Sequence, residues 1–186
     1  MKLYIKNMVC GRCEMAVKLE LERMKLPIIS IKLGEVNLSR ELTDEEIQEF
    51  SKNVESLGFE LLEDEVSKTI AQIKNGIIDL VHYRNEKIKI NLSSYLSKDL
   101  RQDYSALSKL FSEREGITIE HYFIAQKIEK VKELLVYDEL SLSEIAIQLN
   151  YSNVAHLSNQ FKKVTGFTPT YFKKVGENTR KQIDSL

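Results

Sequence analysis

Two hydrophobic periods divide the chain. Over the first sixty residues the apolar positions switch between every second residue and every third or fourth. Leu3 and Ile5 alternate with polar neighbours, Ala16, Val17, Leu21 and Met24 follow at helical spacing, and "IISIKL" and "EVNL" flank Gly34 as the arms of a hairpin. A second helical run carries Ile47, Phe50, Val54 and Leu57. Thr43 and Glu46 stand before it at the offset of a capping box, and Gly58 stands where it stops. "FELL" supplies a fourth strand. The order β-α-β-β-α-β predicts an α+β unit of ferredoxin-like type over residues 1–63.

From residue 66 the strand period disappears and the pattern is helical. Val66, Ile70, Ile73, Ile77 and Leu80 form one apolar seam with spacings of 4, 3, 4 and 3. Such a seam suits a dimeric coiled coil or, over so short a length, packing against its own domain. Further on, a shift of 50 residues without a gap aligns Leu92 with Leu142, Ser93 with Ser143, Leu107 with Leu157 and Ser108 with Ser158. It also aligns Phe111 with Phe161, Gly116 with Gly166 and Thr118 with Thr168. Each copy reads as a short helix, a turn, a second helix, a glycine stop and the start of a third helix. In the second copy Ser141 and Glu144 make a capping box, "NYS" is the turn, and Pro169 stands in the first turn of the last helix. Two helices joined by so short a turn make a helix-turn-helix.

A helical wheel separates the faces of the second helix in each copy. Val154, Leu157, Phe161 and Val164 fall on one face, leaving Ala155, His156, Ser158, Asn159, Lys162 and Lys163 on the other. In the first copy Tyr104, Leu107 and Phe111 are set for burial, and Ser105, Ser108, Lys109 and Ser112 for solvent. A small, polar, basic face suits either a solvated helix or insertion into a major groove. In a groove Asn binds adenine bidentately, and Lys reaches guanine or phosphate. Its recurrence at matching positions of a repeat favours the groove.

The stretch "LSLSEIAIQLNYSNVAHLSNQFKKVTGFTPTYFK" resembles the second helix-turn-helix of AraC-type transcription regulators through its Leu157, Phe161, Lys162, Gly166, Thr168, Pro169 and Tyr171 spacing. "EHYFIAQKIEKVKELL" is similar to the long central helix of that family. The resemblance spans residues 66–176, leaving 177–186 as a C-terminal tail. It implies an all-α domain in which two helix-turn-helix subdomains, joined by one long helix, enter successive major grooves of a promoter operator. Contact with RNA polymerase is a further implication. Three positions depart from the family pattern: Lys127 and Asn159 stand where Arg is usual or frequent, and Asn150 where Gly is common.

Composition adds limits. Hydrophobic residues make up 42% of the chain, enough for globular cores, and the net charge of −1 does not by itself point to nucleic acid. Charge is uneven, however, at −3 over residues 1–63 and +2 over 85–186. Without a membrane-length apolar run or a signal peptide at the N-terminus, the expected location is the cytoplasm, with no membrane partner. Both cysteines lie in "NMVCGRC", at Cys10 and Cys13. In a reducing compartment such a pair is a ligand or reactive pair rather than a structural disulfide.

With its strand order, that motif resembles the heavy-metal-associated domain of copper chaperones and metal-pumping ATPases, with Asn7 where Gly often precedes the Met. Two soft thiolates, with Cys13 in a first helical turn and Arg12 beside it, suit Cu(I). Zn or Cd would need the pooled thiols of a homodimer, since His82, His121 and His156 lie outside this unit. The alternatives are a thiol-redox pair, a domain that only dimerises or binds protein, or a metallochaperone-like carrier. No catalytic constellation accompanies the thiols, so no enzyme is expected, and DNA binding requires no cofactor.

Overall fold

The computed structural model of the chain describes residues 1–83 and 91–175. The tail foreseen at 177–186 lies outside the described residues. The chain divides into two compact units, Met1–Gly76 and the part from Ile77 onward.

The first unit runs β1 (Lys2–Lys6), α1 (Gly11–Arg23), β2 (Ile28–Lys32), β3 (Glu35–Leu38), α2 (Asp44–Ser56), β4 (Glu60–Leu62), and all but the last two residues of α3 (Glu65–Ile78). Its sheet is antiparallel throughout, in the order β2-β3-β1-β4, so β1 lies between β3 and β4. Alternation buries Leu3 and Ile5 of β1 with Val36 and Leu38 of β3, against Val17 and Leu21 of α1 and Phe50 and Val54 of α2. Leu57, placed with these apolar positions by its spacing, follows the end of α2 and is 48% exposed. Across the other face, Lys68 of α3 sits 6.0 Å from the ring centre of Tyr4. Asn75 lies against the hairpin turn at Gly34. There φ is +72°, and an added Cβ would meet the Asn75 amide and come within 3.2 Å of the Ile5 carbonyl oxygen.

The apolar seam from Val66 to Leu80 divides between units. Ile70 and Ile73 are buried in the first, whereas Ile77 and Leu80 belong to the second, where α3 gives way to a π-helical turn over Asp79–Tyr83. The second unit therefore starts later than the 66 expected from the loss of strand period.

The second unit contains α4 (Leu92–Leu100), α5 (Tyr104–Glu115), α6 (Ile119–Tyr137), α7 (Leu142–Gln148), α8 (Val154–Thr165) and α9 (Pro169–Val175). Its core gathers Leu80, Ile128, Val131 and Leu135 with Ile145, Leu149, Leu157, Phe161 and Phe172. The 19-residue α6 is buried around much of its girth, including polar side chains. Gln126, Glu129 and Lys132 are satisfied locally. Gln126 donates to the Tyr122 hydroxyl at 3.0 Å and lies 3.0 Å from a ring nitrogen of His82, and Lys132 donates to Glu129 at 2.6 Å. Among the described residues no helix is long and apolar enough to cross a membrane.

Candidate nucleic-acid interface

The second helix-turn-helix is set by local rules. Ser141 and Glu144 exchange hydrogen bonds as a capping box at the start of α7. The helix ends where the Tyr151 N–H donates to Ala146 and the Asn150 N–H to Ile147, with Asn150 at φ +52°. This Schellman turn needs a left-handed residue, which explains why Asn can stand where Gly is common. Asn153 then caps α8, its side chain accepting from the His156 N–H at 2.7 Å. Leu157 and Phe161 anchor α8 in the core, Phe161 meeting Phe172 edge-on at 5.5 Å.

The opposite face of α8 is open. Ala155, His156, Asn159, Lys162 and Lys163 are exposed and Ser158 is half-buried. Neither Lys162 nor Lys163 makes an ion pair among the described residues. The His156 ring is fixed on two sides: Nδ1 lies 3.0 Å from the Ser152 hydroxyl, and the ring stands edge-on to Tyr151 at 5.3 Å. Val164 departs from the wheel, being 48% exposed, because the apolar stripe of α8 outlasts the core it packs on.

The first helix-turn-helix has the same frame and a different surface. Leu107 and Phe111 are buried, Phe111 tilting against Tyr122 at 5.8 Å. Tyr104, set for burial by its spacing, is half-buried, and its hydroxyl bonds Glu120. Burial first, and then that carboxylate, push its pKa up. Ser105 and Lys109 are exposed as expected, but Ser108 and Ser112 are half-buried. Three of the four polar groups on this face are already engaged. Ser105 bonds the Asp103 carboxylate, Ser112 donates to the Ser108 carbonyl at 2.8 Å, and Lys109 lies 3.9 Å from Glu113.

Between them lies a contact that sequence reading missed. Lys127 of α6 is 8% exposed, with Nζ 3.7 Å from the ring centre of Tyr151 and 5.6 Å from that of Phe123. It pairs with no carboxylate among the described residues, and desolvation lowers its pKa to about 8. The signal available was an aromatic residue in the turn, at Tyr151, together with Lys where Arg is usual.

In the first unit the two thiols converge. Their sulfurs are 3.4 Å apart at the start of α1, where the Cys13 N–H donates to the Cys10 carbonyl at 2.9 Å. Burial pushes both thiols up. At Cys10 this is outweighed by the Cys13 and Arg12 backbone, the Cys13 thiol and the Arg12 guanidinium, so its pKa falls. At Cys13 the neighbouring Cys10 adds to burial, so its pKa rises. Met8 is fully buried in the core and is not free to join them. No group of three or more His, Cys, Asp or Glu suited to a metal occurs among the described residues. Asn7 has φ +70° and donates to the Gly58 carbonyl at 3.1 Å, a left-handed position that accepts Asn or Gly.

Comparison with known proteins agrees with this frame. A family model described as a helix-turn-helix domain matches residues 96–174. The chain is 24% identical over 156 residues to the uncharacterized HTH-type transcriptional regulator YtdP of Bacillus subtilis, covering 79% of this chain and 20% of that protein. It is 31% identical over 101 residues to the xylose operon regulatory protein of Escherichia coli, covering 54% of this chain and 26% of that protein. The chain thus spans about a quarter or less of the length of these curated relatives. Among solved structures, the C-terminal domain of AraT, a response regulator from Geobacillus stearothermophilus, has the same fold with a TM-score of 0.52 at 23% identity. It covers 64% of this chain and 96% of that domain. The C-terminal half of the chain carries a helix-turn-helix domain.

Proposed function

We propose that the chain is a sequence-specific DNA-binding transcription regulator, which lays α5 and α8 into successive major grooves on one side of a promoter operator. The observation that carries this reading is the open face of α8. Small Ala155 allows close approach, Asn159 and His156 reach base edges, and Lys162 and Lys163 meet phosphate. A relative named as an HTH-type transcriptional regulator and another named as an operon regulatory protein support it. RNA polymerase is the proposed protein partner at the promoter. Mobility shift on genomic fragments tests the reading. Retarded duplex at low salt is expected, with Asn159→Ala costing on the order of 1–3 kcal/mol on the selected site and little on random DNA. Equal losses on both would remove Asn159 from base reading.

For the first unit we propose a ferredoxin-like, heavy-metal-associated-like domain that holds a soft metal ion at Cys10 and Cys13. The sheet order β2-β3-β1-β4 supports the first part, and two sulfurs 3.4 Å apart on a helix N-terminus support the second. The donor set fits Cu(I), which accepts two thiolates. Zn or Cd fits only where a homodimer pools thiols. A bound ion would supply positive charge at the start of α1 and hold both thiols deprotonated. Anaerobic Cu(I) titration should give one ion per chain, and none in a Cys10→Ser/Cys13→Ser variant. Equal uptake by both proteins would contradict the site.

A further inference from the structure

The two helix-turn-helix copies share a frame, yet they differ in which of their surface groups are free to meet a ligand. Three of the four polar groups that the repeat places on the outer face of α5 are engaged within the chain: Ser105 with Asp103, Ser112 with the Ser108 carbonyl, and Lys109 with Glu113 in an exposed pair at 3.9 Å. Ser108 is half-buried, as is its counterpart Ser158 in α8. At the matching positions of α8, Asn159 replaces Lys109, Lys162 replaces Ser112 and Lys163 replaces Glu113. The face therefore changes from a self-neutralising pair to two cations without an ion-pair partner among the described residues. His156 replaces Ala106, and its ring is held by Ser152 and Tyr151 before any ligand arrives.

These differences act on the two parts of recognition separately. Phosphate attraction follows net cationic charge, and Glu113 cancels Lys109 where Lys163 adds to Lys162. Base reading needs donors and acceptors that give up little on binding. A hydroxyl already bonded to a carboxylate has to break that bond before it contacts a base, whereas the Asn159 amide makes no bond within the described residues. A side chain locked in its bound orientation also loses less conformational freedom on docking, which favours His156.

We infer that the two helices are unequal readers: α8 reads the sequence of the operator, while α5 rests in the adjacent groove as a positioning element that tolerates any sequence. The operator is then one specific tract with an unspecified flank one helical turn away, although the protein carries two copies of the reading fold. This inference rests on the DNA-binding reading above and fixes where specificity lies within it.

The test is selection of duplexes from a random pool by the intact chain, repeated with Asn159→Ala, Ser105→Ala and Lys109→Ala proteins whose thermal unfolding matches the parent. The expected result is one conserved tract, within which single base changes weaken binding about fivefold to a hundredfold. Asn159→Ala erases preference at particular positions of that tract, and the other two variants select the same sequence as the parent. Two tracts of similar stringency one turn apart would overturn the inference, as would a preference erased by Ser105→Ala or Lys109→Ala. Failure to retain any duplex at low salt would instead overturn the DNA-binding reading itself.

Discussion

Lys127 shows how much one side chain can impose on a fold. Its ammonium is buried beside aromatic rings without a carboxylate among the described residues, and burial lowers its pKa to about 8 from 10.5. The unfolded chain keeps the proton up to the higher value and the folded chain releases it near the lower one. Between them the unfolded state binds more protons, so stability rises with pH, while below pH 8 both states are charged and the penalty is fully present. Denaturation between pH 7.5 and 9.5 should show a gain of about 2 kcal/mol. In Lys127→Met the rise should vanish and stability at pH 7 should increase; an unchanged slope would place the charge elsewhere. Above about pH 10 the trend reverses, because burial raises Tyr151 and the unfolded tyrosine ionises first.

A second residue-scale prediction concerns Lys25, which closes α1 at φ +55°. There the Leu26 N–H donates to Leu21 and the Lys25 N–H to Glu22, in the turn that Gly58 completes after α2. Lys25→Gly should stabilise the fold by about 0.5–1 kcal/mol in urea unfolding, since only glycine adopts this conformation without cost. The departures at Asn7 and Asn150 were legible in the sequence because Asn shares that tolerance. Lys127 was visible only as a departure, since its burial depends on α6 packing against the Tyr151 turn.

Elements were legible wherever a local rule fixes them. The Thr43–Glu46 and Ser141–Glu144 boxes, the Gly34 hairpin and the glycines after α5 and α8 all occur at the expected positions. The repeat revealed both helix-turn-helix units, but not the hydrogen bonds that occupy the α5 surface, because Asp103 and Glu113 lie outside the aligned identities. Nor did spacing reveal that the seam from Val66 to Leu80 is divided between units: helical periodicity continues where tertiary packing changes partners. Of the two outer helices, α8 is expected to dominate electrostatic attraction to a duplex. Lys162→Ala/Lys163→Ala should lower the slope of log affinity against log salt by roughly 1–2, whereas Lys109→Ala should change it less. Equal slopes for both variants would contradict the unpaired status of Lys162 and Lys163.

For the whole molecule, the charge difference between residues 1–63 and 85–186 acquires meaning only with the fold attached, because Lys162 and Lys163 then lie together on the exposed face of α8. The thiol pair stands as a proposed input to a molecule whose larger unit carries a helix-turn-helix domain. Hydroxyl-radical footprinting of the intact chain on its selected duplex reads directly whether two helices occupy successive grooves. Two protected patches on one face of the DNA are expected, their centres one helical turn or about 34 Å apart. A single short patch, or protection running around the whole circumference, would contradict it.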